Sequence, residues 1–120
     1  MTHRVLLVED NSTIRATLIP ALEELADMEV VATADDVASA LQAISAVAWD
    51  VVVLDLFLKK GTGLDVLQNM TALDFSAGKV LVLTNYATAD IRQRCLRLGA
   101  DAVFDKSTEI EGFLEVCAAM

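Results

Sequence analysis

The chain has 120 residues, enough for one domain with a single core. Hydrophobic residues make up 55% of it and charged residues 22%, which excludes a disordered chain. The 9 basic and 18 acidic residues leave a formal charge of −9, so phosphate backbones and anionic membranes are repelled, while cations and basic protein surfaces are favoured partners.

In chain order, short apolar runs alternate with segments of helical period. Val5 to Val8 reads as a strand buried on both faces. Ile14, Leu18, Leu22 and Leu25 then keep the spacing of a helix stripe, with Asn11, Ser12 and Thr13 as cap residues ahead of it. Pro20 falls inside that pattern and is expected to kink the helix or break its bonding locally, although the apolar spacing continues past it. Glu29 to Thr33 is a second strand, followed by Val37, Leu41 and Ile44 on a helix that Asp35 or Asp36 can cap. Val51 to Leu54 precedes Leu64, Leu67, Met70 and Leu73; Val80 to Leu83 precedes Ile91, Cys95 and Leu98, with Gly99 as the stop. Ala102 to Phe104 precedes Ile110, Phe113, Leu114 and Cys117.

Five strands alternating with five helices predict an α/β domain with a parallel sheet covered on both faces. Right-handed crossovers give the strand order 2-1-3-4-5. Cys95 and Cys117 lack metal-type spacing and read as reduced core thiols of a cytoplasmic protein. The opening "MTHRVLLVEDNS" does not have the form of a signal peptide, and no apolar run approaches the ~20 residues that span a bilayer.

Function is expected at the C-terminal strand ends, where open parallel sheets bind ligands. There Glu9 and Asp10 follow the first strand, Asp55 ends the apolar run "VVVL", Thr84 ends the fourth strand and Lys106 follows the fifth. An unpaired buried carboxylate costs several kcal/mol, so Asp55 requires partners. Three ionised carboxylates need positive charge: Lys106 supplies one, and Mg2+ with oxygen ligands fits the remainder better than zinc, since no His or Cys joins the set. Such a site suits phosphoryl transfer with a carboxylate as nucleophile.

The stretches "VLLVEDN", "VVVLDLFLKKGTGLDVL", "VLVLTNYA" and "GADAVFDKS" together resemble the receiver domain of two-component response regulators, over essentially the whole chain. The resemblance implies a flavodoxin-like doubly wound fold, with residues 1–120 as a single receiver domain. It implies that Asp55 accepts a phosphoryl group from a histidine kinase or histidine phosphotransfer protein. It further implies Mg2+ held by Asp10, Asp55 and the backbone carbonyl of Phe57, with Glu9 reaching the metal through water. Lys106 then pairs with the phosphoryl oxygens, Thr84 reports their arrival, and Gly63 belongs to the loop after the acceptor strand. The face around the fourth helix, fifth strand and fifth helix is where a partner, including a second copy of the chain, is expected to dock.

Four positions depart from the family pattern. Lys59 stands where a loop proline is usual, and Ser107 where a proline follows the lysine, which disfavours a cis bond there. Asn85 replaces a small residue beside Thr84, and Val103 replaces the switch aromatic; Phe104 next to it should face the other side of the sheet. These departures keep open a degenerate receiver that acts as a phosphorylation-independent interaction module. A phosphohydrolase resembling the haloacid dehalogenases is disfavoured, because Phe57 occupies the place of its second acid. A flavin or nucleotide site is disfavoured by the two acids of "EDNST".

Overall fold

Alternation of side chains along buried strands splits the apolar residues between two faces, and this division organises the molecule. The computed structural model describes residues 2–72 and 78–120. It contains β1 (His3–Val8), α1 (Ser12–Leu25), β2 (Met28–Ala34), α2 (Val37–Ala46) and β3 (Val51–Leu54), followed by α3 (Gly63–Ala72), β4 (Lys79–Thr84), α4 (Ala89–Arg97), β5 (Ala102–Asp105) and α5 (Ile110–Ala118). The strands pair in parallel in the order β2-β1-β3-β4-β5, as expected for the flavodoxin-like arrangement.

One face carries Leu6, Val8, Val52, Leu54, Val82 and Val103, packed against α2, α3 and α4 through Ile44, Leu67 and Cys95. The other carries Val5, Leu7, Val53, Leu81 and Leu83, packed against α1 and α5 through Leu18, Leu22, Phe113 and Cys117. Phe104 lies on the second face, its ring edge-on to Phe113 at 5.6 Å, opposite Val103 as strand alternation requires. Leu73, expected in the stripe of the third helix, lies outside the described residues.

Local chemistry sets the helix ends. The Asn11 side chain accepts from the Ile14 N–H at 3.0 Å and caps α1, which runs unbroken across Pro20. Asp36 rather than Asp35 caps α2, in a reciprocal capping box with Ser39. Thr88 caps α4, and Gly99 follows its end with a φ of +105°, the left-handed turn that glycine adopts without strain. Among the described residues, no helix is long and apolar enough to cross a membrane.

The loop after β3 is held by backbone bonds on both sides. Lys59 N–H donates to the Asp35 carbonyl at 2.9 Å, and Val37 N–H to the Lys60 carbonyl at 3.1 Å, tying the loop to the start of α2. A proline at 59 has no N–H to give, so this bond to Asp35 requires a residue other than proline there. At the far end, Gly63 N–H donates to the Leu56 carbonyl at 2.9 Å. A Cβ on Gly63 would stand 2.3 Å from the Asp55 carbonyl oxygen and 2.9 Å from the Leu56 Cα, so only glycine permits this approach.

Gly63→Ala is therefore expected to shift the residues around Asp55 and to cost ~1–3 kcal/mol, the usual range for overpacking, read as a lowered urea midpoint at unchanged m-value. A midpoint equal to the wild type's would show that the backbone approach is looser than described. The cysteines give a second check. Both thiols are buried, and burial pushes Cys117 up to about 12. Neither should react with a maleimide in the native state near neutral pH, and both should react on denaturation; rapid native labelling of Cys117 would contradict the packing of α5.

Candidate functional site

The strand ladders extend one residue past β1 and β3, and this fixes the acids. Glu9 N–H donates to the Ala34 carbonyl and Asp55 N–H to the Val8 carbonyl, each at 2.9 Å. Beyond β5, Lys106 N–H donates to the Thr84 carbonyl at 3.0 Å. Backbone position alone thus brings Glu9, Asp55 and Lys106 to one rim.

Their side chains meet there. The Lys106 ammonium donates to Glu9 Oε1 and, at 3.0 Å, to Asp55 Oδ2. Asp55 Oδ1 accepts from the Leu56 N–H at 2.7 Å, and Glu9 Oε2 from the Asn11 N–H at 3.2 Å. Glu9 is 1% exposed and Asp55 7%, whereas Asp10 is exposed. Carboxylate oxygens of Glu9, Asp10 and Asp55 all lie within 4.8 Å of one another. One ammonium faces three acids, so the cluster is short of positive charge.

Burial raises the Glu9 carboxyl above its ordinary value; the Lys106 hydrogen bond opposes that rise, and the nearby Asp55 charge adds to it. An all-oxygen donor set with one exposed member is what a hard divalent cation takes, since Mg2+ retains several waters. The cluster, with Phe57, Asn85 and Tyr86, bounds a pocket of about 160 Å³. A larger and mainly apolar groove of about 470 Å³ between α1 and α5 adjoins it through Ile14, Asn85 and Lys106.

The remaining expected site residues are placed as follows. Thr84 is fully buried at the end of β4, where its Oγ1 accepts from the Tyr86 N–H at 3.2 Å. Phe57 is exposed, forms a backbone bridge with Thr62, and packs its ring against Tyr86 at 4.3 Å. Asn85 is exposed beside Ser107, whose hydroxyl reaches its Oδ1 at 3.5 Å. The peptide before Ser107 is trans.

Sequence reasoning passed over Arg15, Arg92 and Glu109. Arg15 Nη1 donates to the Glu9 carbonyl at 2.5 Å. Arg92 and Glu109 form an ion pair between α4 and the start of α5. Nothing in the spacing of these residues marks such side-chain contacts across elements; the N-cap position of Glu109 was the only local cue.

Comparison with known proteins accords with this geometry. The family model of the response regulator receiver domain matches residues 5–117. A putative transcriptional regulator of Pseudomonas aeruginosa is 32% identical over 98% of the chain and 56% of its own length. A protein-glutamate methylesterase/protein-glutamine glutaminase of Caulobacter vibrioides is 33% identical over 96% of the chain and 33% of its own length. The chain therefore spans about half of the first relative and a third of the second. A response regulator of Burkholderia pseudomallei, crystallised with a phosphorylated aspartic acid, calcium ion and citrate, superposes with a TM-score of 0.81 at 27% identity, over 93% of the chain and 64% of that protein. Sequence profile, strand order and the acids at the strand ends converge, and the chain belongs to the receiver domains of two-component response regulators.

Proposed function

We propose that residues 1–120 form a single receiver domain in which Asp55 accepts a phosphoryl group from a histidine kinase or histidine phosphotransfer protein. The observation that carries this reading is the contact of Lys106 with Asp55 Oδ2 at a rim shared with Glu9 and Asp10. An Asp55 carboxylate oxygen attacks phosphorus, the O–P bond forms as the P–N bond to the donor imidazole breaks, and the electron pair leaves with the ring nitrogen. The Leu56 N–H holds the carboxylate's orientation, and Lys106 neutralises charge on the transferred oxygens. Mg2+ would be held by Asp10, Asp55 and the Phe57 carbonyl, with Glu9 acting through water, and when bound supplies further charge neutralisation.

Thr84 is assigned the role of following the phosphoryl group, because its hydroxyl lies at the end of β4 with a single weak N–H partner, Tyr86. Its movement would free the backbone of the loop into α4. The face of α4, β5 and α5 is accordingly the one assigned to the change in partner binding, for a downstream protein or a second copy of the chain. The phosphorylated aspartic acid in the Burkholderia relative supports the chemistry. A cytoplasmic location fits a kinase-fed domain, and no enzymatic activity toward a separate substrate is assigned to it.

Acetyl phosphate with Mg2+ should add about 80 Da to the intact chain on this reading, by mass spectrometry, with no addition to Asp55→Asn or without the metal. Absence of the adduct in the wild type would remove the phosphoacceptor reading and leave an interaction module. Asp55→Asn should also melt higher in metal-free buffer, since it removes one of three clustered carboxylates of which Lys106 meets two; a gain of about 4 °C would correspond to ~1 kcal/mol.

Glu9 gives a pH test with a definite sign. Its folded carboxyl lies above the ordinary value of 4.5, so the folded chain retains a proton that the unfolded chain releases. Stability contributed by that proton is present below 4.5 and is lost as pH rises through the folded value. The unfolding free energy of wild type relative to Glu9→Gln should thus decline from acid toward neutral pH in metal-free buffer. Saturating Mg2+ favours the ionised form and should flatten the decline. Parallel urea-midpoint profiles for the two proteins would contradict the assigned environment of Glu9.

A further inference from the structure

The loop that carries Lys106 is shaped without the two devices usual in its family, a proline after the lysine and an aromatic at the position of Val103. Ser107 follows the lysine in a trans peptide and donates its N–H to Asp105 Oδ1 at 2.7 Å. Val103 is buried in the core with Cys95 and Val82. The shape comes instead from Glu109. Its Oε1 accepts from the Asp105 N–H at 3.0 Å, while its own N–H donates to the Asp105 carbonyl at 2.9 Å. The turn enclosing Lys106 is closed from both ends by one residue.

Glu109 is in turn held by Arg92, whose Nη2 donates to the same Oε1. The rest of that guanidinium joins two further elements: Nε donates to the Ala87 carbonyl at 2.9 Å and Nη1 to the Val103 carbonyl at 3.0 Å. Arg92 thus ties the β4–α4 loop, β5 and the β5–α5 turn to one planar group, a fork that lysine cannot reproduce. A half-exposed ion pair by itself contributes little stability. Its two backbone acceptors, on segments flanking Thr84 and Lys106, give this pair a positional role.

We propose that Arg92 and Glu109 act together as a positioning latch that sets the Lys106 turn and couples it to the start of α4. Displacement of the turn when Lys106 meets a phosphoryl group then loads the Ala87 carbonyl through Arg92, and displacement of the β4–α4 loop loads the turn in the reverse direction. The static half of the proposal stands on the geometry alone; the coupling to phosphorylation rests on the reading of Asp55 as phosphoacceptor.

The test uses wild type, Arg92→Lys, Glu109→Gln and the double variant, all changed at half-exposed positions so that folding is retained. Amide exchange in the unmodified proteins is the first measurement. Arg92→Lys should accelerate exchange at Asp105 and Ser107, and Glu109→Gln should accelerate it at Thr88 to Ile91, each effect appearing on the element that was not mutated. The second measurement is the rate of Mg2+-dependent modification by acetyl phosphate, which each single variant should lower by about tenfold, the scale expected when a reacting group is misplaced by less than an ångström. The double variant should be no slower than the slower single one, as for residues that act as a unit. Exchange changes confined to the mutated element, or a double-variant rate equal to the product of the single effects, would overturn the latch. A wild type that is not modified at all would remove the phosphoacceptor reading and its coupling, while the exchange data still decide whether the pair positions the turn.

Discussion

The contact on which the site depends is the Lys106 ammonium placed between the carboxylates of Glu9 and Asp55. Two acids nearly withdrawn from water would repel each other and bear the full cost of desolvation without it. Their backbones cannot retreat, because each is hydrogen-bonded to the neighbouring strand. Charge, rather than position, is therefore the variable in this site. With Asp10 added, the single ammonium leaves an excess of negative charge. That imbalance keeps the cluster receptive to a hard cation, and the Asp55 charge adds to the rise that burial gives Glu9.

The apolar fold serves this arrangement in a direct way. The fully buried strand Val51–Leu54 interacts with helices on both sides, so the residue after it has little freedom to drift. Its side chain is then oriented by one N–H, that of Leu56, and one ammonium. The close approach of Gly63 to the Asp55 carbonyl limits the loop from the other side. A carboxylate fixed by hydrophobic packing needs few polar contacts to hold its direction.

Most of this was legible from the residues. Continuous apolar strands alternating with period-3.6 helices gave the fold class, and right-handed crossovers the strand order, while the caps at Asn11 and Asp36 and the stop at Gly99 carry local chemistry that a sequence displays. The strand ends placed Glu9, Asp10, Asp55 and Lys106 together because backbone pairing leaves them no other rim. What stayed hidden depends on contacts between distant segments. The register irregularity between β1 and β2 at Val5 and Leu6 has no periodic signature. The use of the Lys59 N–H by Asp35 appears only once two loops are side by side. The contacts of Arg92 stay hidden in the same way, because its three acceptors come from three separate elements.

The hidden contacts share a property that bears on how such a domain can change state. Val103 lies inside the larger core cluster, where close packing permits no rotation without opening a void. An aromatic switch at that position is replaced by an aliphatic residue with nowhere to swing. Movable groups lie instead in the polar segments between the strands and helices: the Thr84 hydroxyl with its Tyr86 partner, the Asn85–Ser107 contact, and the turn held by Glu109. Each is held by hydrogen bonds worth ~1 kcal/mol net, and only the Thr84 hydroxyl is also buried. Introducing a doubly charged group beside Lys106 changes electrostatic energies by several times that amount. The polar connections therefore yield before the core does, and the two faces of the sheet can keep their packing while the loops above them rearrange.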